Sequence, residues 1–328
     1  MLLEVKDLKF EFHTYDGVVN AVNGISFSVD KGETLGIVGE SGSGKSVATH
    51  AILHLNPMPP GRVSRGEILF NSKNLLALSE EEINKVRGNE IGMIFQEPMN
   101  SLNPVFTVEN QIVEAYKLHF PPMTRKDYRE KAIEALRMVG IPSPESRVKC
   151  YPHELSGGMR QRVMIAMALA CDPELLIADE PSTALDVTIQ AQILQIINDL
   201  QKSKGLGVIL ITHDLGVVAE TADRVAVMYA GKIVESATTK EIFENPLHPY
   251  TIGLLQSIPS YTDAHFFDPK RRLKTIKGVV PDLREIPIGC SFANRCEKAS
   301  LECTKVIPCL ENFGNNHFAS CIKVGRDK

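Results

Sequence analysis

No run of apolar residues in this 328-residue chain approaches the ~20 that a membrane-spanning helix requires. The longest, LLIA before Asp179 and VILI before Thr212, are of strand length. No secretory leader is expected, because MLLEVKDLKF alternates charged and apolar residues from the first position. Neither sign of charge dominates: 36 Lys and Arg stand against 40 Asp and Glu, a formal net charge of −4. That balance gives no reason to expect nucleic acid or an anionic lipid surface as a partner. Internal repeats and low-complexity tracts are absent. Cysteine is scarce until late in the chain, with only Cys150 and Cys171 before residue 290. What remains is ordinary globular composition, 43 % hydrophobic and 23 % charged, long enough for a large domain with an appendage. The expectation is a chain that folds in the cytosol and meets a membrane only through other proteins.

Hydrophobic periodicity supplies the organisation. LLEVKDLKFEF and NGISFSVDKG alternate as antiparallel strands. ETLGIVG reads as a short buried strand entering a glycine-rich turn, with a helix from Ser46. Three more buried strands follow: IGMIFQ ending at Gln96, LLIADE ending at Asp179 and Glu180, and GVILITHD ending near His213. Strands alternating with helical stretches imply an α/β fold, a mainly parallel sheet covered by helices. Ligands in such sheets lie beyond the carboxyl ends of the strands, where Gln96, Asp179, Glu180, His213 and the glycine-rich turn all fall. Between about 97 and 170 the pattern becomes helical, with VENQIVEAYKL and YREKAIEALRMVG as amphipathic helices. RVAVMYAGKIVES reads as a hairpin. A change in composition near Asn245 divides the chain into 1–245 and an extension, 246–328, rich in proline, aromatics and cysteine.

Residues 39–46, GESGSGKS, satisfy G-x-x-x-x-G-K-[ST]. Gly39, Gly42 and Gly44 let the loop curl so that backbone N–H groups, with Ser41 and Ser43, face phosphate oxygens. The following helix adds its positive N-terminal end. Lys45 is expected to reach the β- and γ-phosphates, and the Ser46 hydroxyl to ligate Mg²⁺. Asp179 closes a buried apolar strand, where a carboxylate is costly unless it supports a metal; its expected partner is the same Mg²⁺. Glu180, next in the chain, is the candidate general base for an attacking water.

LSGGMRQRV, residues 155–163, completes the set. Taken with the phosphate loop, Gln96 and His213 in order, it resembles the signature sequence of the ABC ATPases, a branch of the P-loop NTPases. The resemblance covers roughly residues 1–245. It implies a mixed sheet with an antiparallel β subdomain and a helical insertion, and two subunits paired head-to-tail around two ATP molecules. By this resemblance Ser156, Gly157 and Gly158 contact the γ-phosphate of the partner's nucleotide. Gln96 resembles the glutamine that senses Mg²⁺ or the attacking water, His213 the switch histidine, and Asp186 in STALD the aspartate that contacts the opposing subunit. Adenine is expected to stack on an aromatic residue upstream of the loop, Tyr15 before its rival Phe12.

Three strings, EPMNSLNP at 97–104, STALDVTIQAQIL at 182–194 and NPLHPYTIGLLQSIP at 245–259, resemble the oligopeptide and dipeptide importer branch. That branch implies two membrane permease subunits, a related ATPase as dimer partner, an extracytoplasmic solute-binding protein, and a seat on the cytoplasmic side of the cell membrane. It also implies a [4Fe–4S] cluster on a C-terminal motif matched by Cys290, Cys296, Cys303 and Cys321, with His317 nearby. From spacing alone, zinc and free or disulfide-linked thiols remain open, and Cys309 is an additional thiol that could replace Cys303 or Cys321. Rival readings are an importer of nickel or another small solute, a soluble ABC protein acting on ribosomes or DNA, and a non-hydrolysing regulatory subunit. The last is disfavoured by Glu180 and His213, and the soluble reading by the want of a second ATPase domain, a coiled-coil insertion or a basic patch.

Overall fold

The structure, a computed structural model, describes residues 1–96, 101–181, 186–258 and 275–325. Residues 97–100 of the helical insertion and 182–185 of the STALD string lie outside that set. Two compact units emerge, each woven from several chain segments: Glu4–Phe27, Leu35–Ile68 and Thr212–Lys328 form one, and Met1–Leu3, Ser28–Thr34 and Leu69–Ile211 form the other.

The first of these units holds the glycine-rich loop. Strands β1 (Leu3–Thr14), β2 (Gly17–Val29) and β4 (Gly61–Phe70) lie side by side in the order β2-β1-β4. A second sheet is built on β3 (Thr34–Val38), every residue of which is buried, running directly into the loop and helix α1 (Lys45–Ile52). β3 pairs in parallel with β9 (Arg224–Tyr229), from Leu35 opposite Arg224 to Val38 opposite Val227. β9 turns back antiparallel onto β10 (Lys232–Thr238), with a register shift between Ile233 and Glu235. The extension then adds to the same sheet: β12 (Phe318–Ala319) pairs with β10, and β11 (Glu311–Asn312) with β12. Mixed strand directions therefore arise within this unit. Around the sheet sit α8 (Leu215–Thr221), α9 (Thr239–Glu244) and α10 (Pro249–Gln256).

An aromatic cluster fastens the extension here. Tyr229 of β9, Tyr250 of α10 and Phe292 are buried together, with ring centroids of Tyr229 4.6 Å from Tyr250 and 5.2 Å from Phe292. Each such pair contributes ~1 kcal/mol beyond its buried area. Tyr250 belongs to the NPLHPYTIGLLQSIP string, for which the sequence suggested no chemistry. His248 caps α10 by accepting the Tyr250 N–H at Nδ1, 3.0 Å away. Burial pushes its imidazole down to about 4, which keeps that nitrogen's lone pair available.

The second unit carries three parallel strands: β6 (Ile91–Ile94), β7 (Leu175–Asp179) and β8 (Gly207–Thr212). β7 and β8 are buried at every position, as their unbroken apolar runs require. β6 stops two residues earlier than IGMIFQ suggested, because Phe95 and Gln96 turn out into solvent. Preceding it are the short β5 (Lys73–Asn74), hairpin partner of Leu69–Phe70, and α2 (Glu80–Val86), which opens on a Ser79–Glu82 capping box. The helical layer comprises α3 (Val108–His119), α4 (Arg125–Met138), α5 (Pro144–Arg147) and α6 (Gly157–Leu169). α3 and α4 start on Thr107 and Thr124 caps. α4 buries only Ala132, Ala135 and Leu136, the i, i+3, i+4 stripe of an amphipathic helix. α7 (Val187–Lys204) opens on Asp186 and ends at Gly205 with φ 65°, a left-handed cap suited to glycine.

One buried group in the loop-bearing unit is a clear stability determinant. Glu235 on β10 is fully buried and accepts the backbone N–H groups of Leu247 at 2.7 Å and His248 at 2.9 Å, while His317 Nε2 lies 2.7 Å from its Oε1. Glu235→Ala removes the partner of three polar groups at once, those of the buried His248 and His317 and of the half-buried Leu247. It is expected to cost about 3 kcal/mol and to lower the melting temperature by roughly 5–10 °C in calorimetry. A change below about 1 °C would mean that these groups find other partners.

Candidate functional site

The glycine-rich loop is shaped by close backbone approaches. A Cβ on Gly44, at φ 95°, would lie 2.2 Å from the Ala21 carbonyl oxygen, and one on Gly39 2.2 Å from that of Met228. No side chain fits at either position, so the motif's glycines are set by the walls of the loop as well as by its dihedrals. The Gly231 N–H donates to the Ser43 carbonyl at 3.0 Å, tying the loop to the β9–β10 turn.

Inside this cradle the Lys45 ammonium is buried, 6 % exposed, and donates to the carbonyls of Gly39 at 2.8 Å and Glu40 at 3.0 Å. An ammonium held out of water is costly, and a phosphate oxygen is a strong partner for it. Ser43 is fully buried, and its Oγ has no hydrogen-bond partner among the described residues. Ser46 begins the helix beside Lys45, whereas Ser41 and Gly42 are exposed at the mouth of the loop. The donor set fits a polyphosphate: a lysine, an unpaired hydroxyl, and a backbone curl that side chains cannot fill.

His213 lies in the same unit, directly after β8 and exposed. The adjacent Asp214 caps α8, accepting the N–H groups of Gly216 at 2.8 Å and Val217 at 3.3 Å, which anchors the residue after it. Tyr15 is fully exposed at the β1–β2 turn and so is not a core residue. Phe12 instead packs on Phe10, with centroids 5.1 Å apart.

The other unit gathers the acidic group. Asp179 is buried as the last residue of β7. Glu180 follows with φ 46°, a conformation costly for a non-glycine residue and held by its N–H bond to Ile211 O at 2.9 Å. Gln96 Nε2 donates to Glu180 Oε2 at 3.0 Å, so two residues named separately from the sequence meet. The signature turn is also built as expected of a helix start: Ser156 caps α6, accepting the Met159 N–H at 3.4 Å, and Ser156 and Gly157 are exposed. A Cβ on Gly158 would come within 2.9 Å of Ile189 on α7, while the exposed Asp186 caps that helix through the Ile189 N–H at 3.0 Å.

In the extension, Cys290, Cys296, Cys303 and Cys321 line one small cavity, together with His248, Phe292 and Pro308. Cys309 is exposed and is not among its lining residues. None of the seven cysteines forms a disulfide. Burial pushes the Cys290 and Cys296 thiols up, and the neighbouring thiols push in the same direction. Gly289 precedes this group because a Cβ there would sit 2.3 Å from Cys303 O. Among the described residues no three His, Cys, Asp or Glu side chains converge as a site for a single metal ion. Sequence reasoning missed Glu40, and Tyr250 and Arg295, which both bind it within the loop-bearing unit. The arginine's place beside Cys296 was the one available signal.

Comparison with known proteins agrees with this geometry. Residues 22–183 match the ABC transporter family, and residues 234–303 match the C-terminal region of oligopeptide/dipeptide transporters. The oligopeptide transport ATP-binding protein OppD of Bacillus subtilis is 58 % identical over 298 residues, covering 91 % of this chain and 82 % of that protein. The dipeptide transport ATP-binding protein DppD of the same organism is 51 % identical over 320 residues, covering 98 % and 94 %. Among solved structures, a dimeric ATP-binding cassette in a post-hydrolysis state with ADP and Pi matches with a TM-score of 0.66 at 27 % identity, over 73 % of this chain and 99 % of that one. The likeness confirms the α/β P-loop fold with its mixed sheet, antiparallel subdomain and helical region. This chain is an ATP-hydrolysing member of the ABC family, and it belongs to the oligopeptide/dipeptide importer branch.

Proposed function

We propose that this chain is the motor subunit of an importer for di- and oligopeptides, working at the cytoplasmic side of the cell membrane. The observation that carries the proposal is the cradle itself: a buried lysine and an unpaired buried serine hydroxyl in a loop closed to side chains. Lys45, Ser43 and the backbone from Gly39 to Gly44 bind the β- and γ-phosphates, with Ser41 at the rim. Ser46, Asp179 and Gln96 would hold Mg²⁺, whose charge would neutralise the phosphate oxygens. Glu180 takes the proton of the attacking water, and Gln96, hydrogen-bonded to it, orients that carboxylate. His213 holds the γ-phosphate and Tyr15 stacks on adenine.

ATP binding closes two subunits head-to-tail, and hydrolysis reopens them. The exposed Ser156 and Gly157, with the half-buried Gly158, offer the start of a helix to the nucleotide of the opposing subunit, and Asp186 contacts that subunit. The partner is a related ATPase, and two permease subunits carry the peptide after delivery by an extracytoplasmic solute-binding protein. Exposure of Phe95, Val105 and Phe106, beside Gln96 and ahead of α3, supports a permease contact in this region. No helix among the described residues is long and apolar enough to cross a membrane, which fits a peripheral seat. Functionally the chain divides into the ATPase, 1–245, with its helical insertion at about 97–170, and the extension, 246–328. In the complex with its partner ATPase and permeases, Glu180→Gln is expected to lower ATP turnover by about 100-fold or more while ATP binding persists. Turnover within threefold of the native complex would remove Glu180 from the base's role.

We further propose that Cys290, Cys296, Cys303 and Cys321 ligate a [4Fe–4S] cluster. Four thiols on one cavity are the usual donor set for such a centre, and Cys309 lies apart from them. Its contribution is structural, since ligation adds folding free energy to a segment of short strands and single turns. Protein purified without oxygen is expected to carry near four iron and four sulfide per chain, lost in Cys296→Ser; one zinc, or no metal, would contradict the cluster.

A further inference from the structure

The extension grips the glycine-rich loop at Glu40, and from two directions. Glu40 is the second residue of GESGSGKS. Its backbone N–H donates to the Tyr250 hydroxyl at 2.9 Å, and its carbonyl accepts the Lys45 ammonium at 3.0 Å. Its carboxylate is taken by Arg295, with Nη1 2.9 Å from Oε2 and Nη2 3.1 Å from Oε1. This is a two-pronged guanidinium–carboxylate pair, the most geometrically exacting of protein ion pairs.

Arg295 is poorly suited to a purely superficial role. Its side chain is only 6 % exposed, although Glu40 remains 29 % exposed. The guanidinium has five N–H donors, and each meets an acceptor. Besides the two Glu40 oxygens these are the Tyr229 hydroxyl at 3.3 Å, the Lys277 carbonyl at 3.0 Å and the Ile276 carbonyl at 3.4 Å. It also lies against the rings of Tyr229 and Phe292, at 5.7 and 6.0 Å from their centroids. A cation so completely satisfied has a fixed place, and it fixes whatever it grips. What it grips is the residue whose carbonyl holds Lys45.

We infer that Arg295 is a positioning residue for nucleotide binding: the extension sets the shape of the phosphate loop through the Arg295–Glu40 pair, supported by Tyr250. The inference rests on the loop being the ATP site. When phosphate arrives, Lys45 exchanges the Gly39 and Glu40 carbonyls for phosphate oxygens, and the loop must keep its curl while it loses that internal tie. Arg295 and Tyr250 hold Glu40 from outside the loop, so the curl survives the exchange. Arg295 directly precedes Cys296 in the chain, which places the thiol-lined cavity and the phosphate loop on either side of one side chain.

The test compares native protein, Arg295→Met, Arg295→Lys, Glu40→Gln and the double variant Glu40→Gln/Arg295→Met in the assembled transporter. ATP KM, kcat and equilibrium ATP binding are read together with iron content. Arg295→Met is expected to raise KM and Kd for ATP about tenfold, with kcat within twofold. Glu40→Gln should weaken binding similarly, and the double variant no more than the worse single one, because both remove the same contact. Arg295→Lys keeps the charge and loses the fork, so it should fall between native and Arg295→Met. Should Arg295→Met fail to fold, Glu40→Gln decides, since Glu40 lies at the loop and leaves the extension's own contacts in place. Unchanged KM and Kd in Glu40→Gln, or additive losses in the double variant, would overturn the inference. Failure of the ATP reading itself would appear as no ATP binding by the native protein, and this overturns the inference with it. Failure of the cluster reading would show only in the iron content.

Discussion

A lysine ammonium removed from water is the constraint on which the loop-bearing unit depends. Lys45 is buried and donates to the Gly39 and Glu40 carbonyls, and a cation in such surroundings is stabilised only if its neighbours are held in place. Much of the local structure serves that end. β3 is buried throughout and delivers the chain to Gly39 at a fixed point. The Ala21 and Met228 carbonyls leave no room for a side chain on Gly44 or Gly39. The loop is thus prepared before any phosphate binds, and little reorganisation is needed when it does.

The extension enlarges that picture. Compositionally it looks like an appendage, and the change near Asn245 suggested a boundary. In the structure its strands β11 and β12 continue the sheet that begins at β3, and Tyr250 and Phe292 pack on Tyr229. Residues 212–328 fall within the same compact unit as the phosphate loop. A segment with this much contact stiffens the surroundings of the loop, so changes around the cysteine-lined cavity bear on nucleotide binding.

What could be read from the sequence follows from how local each signal is. The phosphate loop, the acidic pair at 179–180 and the signature turn are contiguous strings whose chemistry and backbone geometry are set by neighbours in sequence. The buried strands were equally plain, since β7 and β8 are unbroken apolar runs. The end of β6 was misjudged because hydrophobicity continues to Phe95 although the chain has already turned outward. The grip of Arg295 on Glu40 was illegible, because 255 positions separate the partners and nothing local, neither the loop motif nor the neighbouring cysteine, pairs the two. The Gln96–Glu180 bond, 84 positions apart, was foreshadowed only by both residues falling near strand ends. Likewise, spacing left Cys309 as a rival ligand, and only the fold sets it apart from the other four thiols.

The central claim is that nucleotide held by Lys45 drives peptide across a membrane. It is tested most directly by uptake of a labelled tripeptide into cells lacking this chain and supplied with either the native protein or Lys45→Ala. The account predicts rapid uptake with the native protein and uptake at background with the variant, at equal amounts of assembled transporter. Equal uptake by the two, or restoration of nickel entry without any peptide uptake, would contradict it.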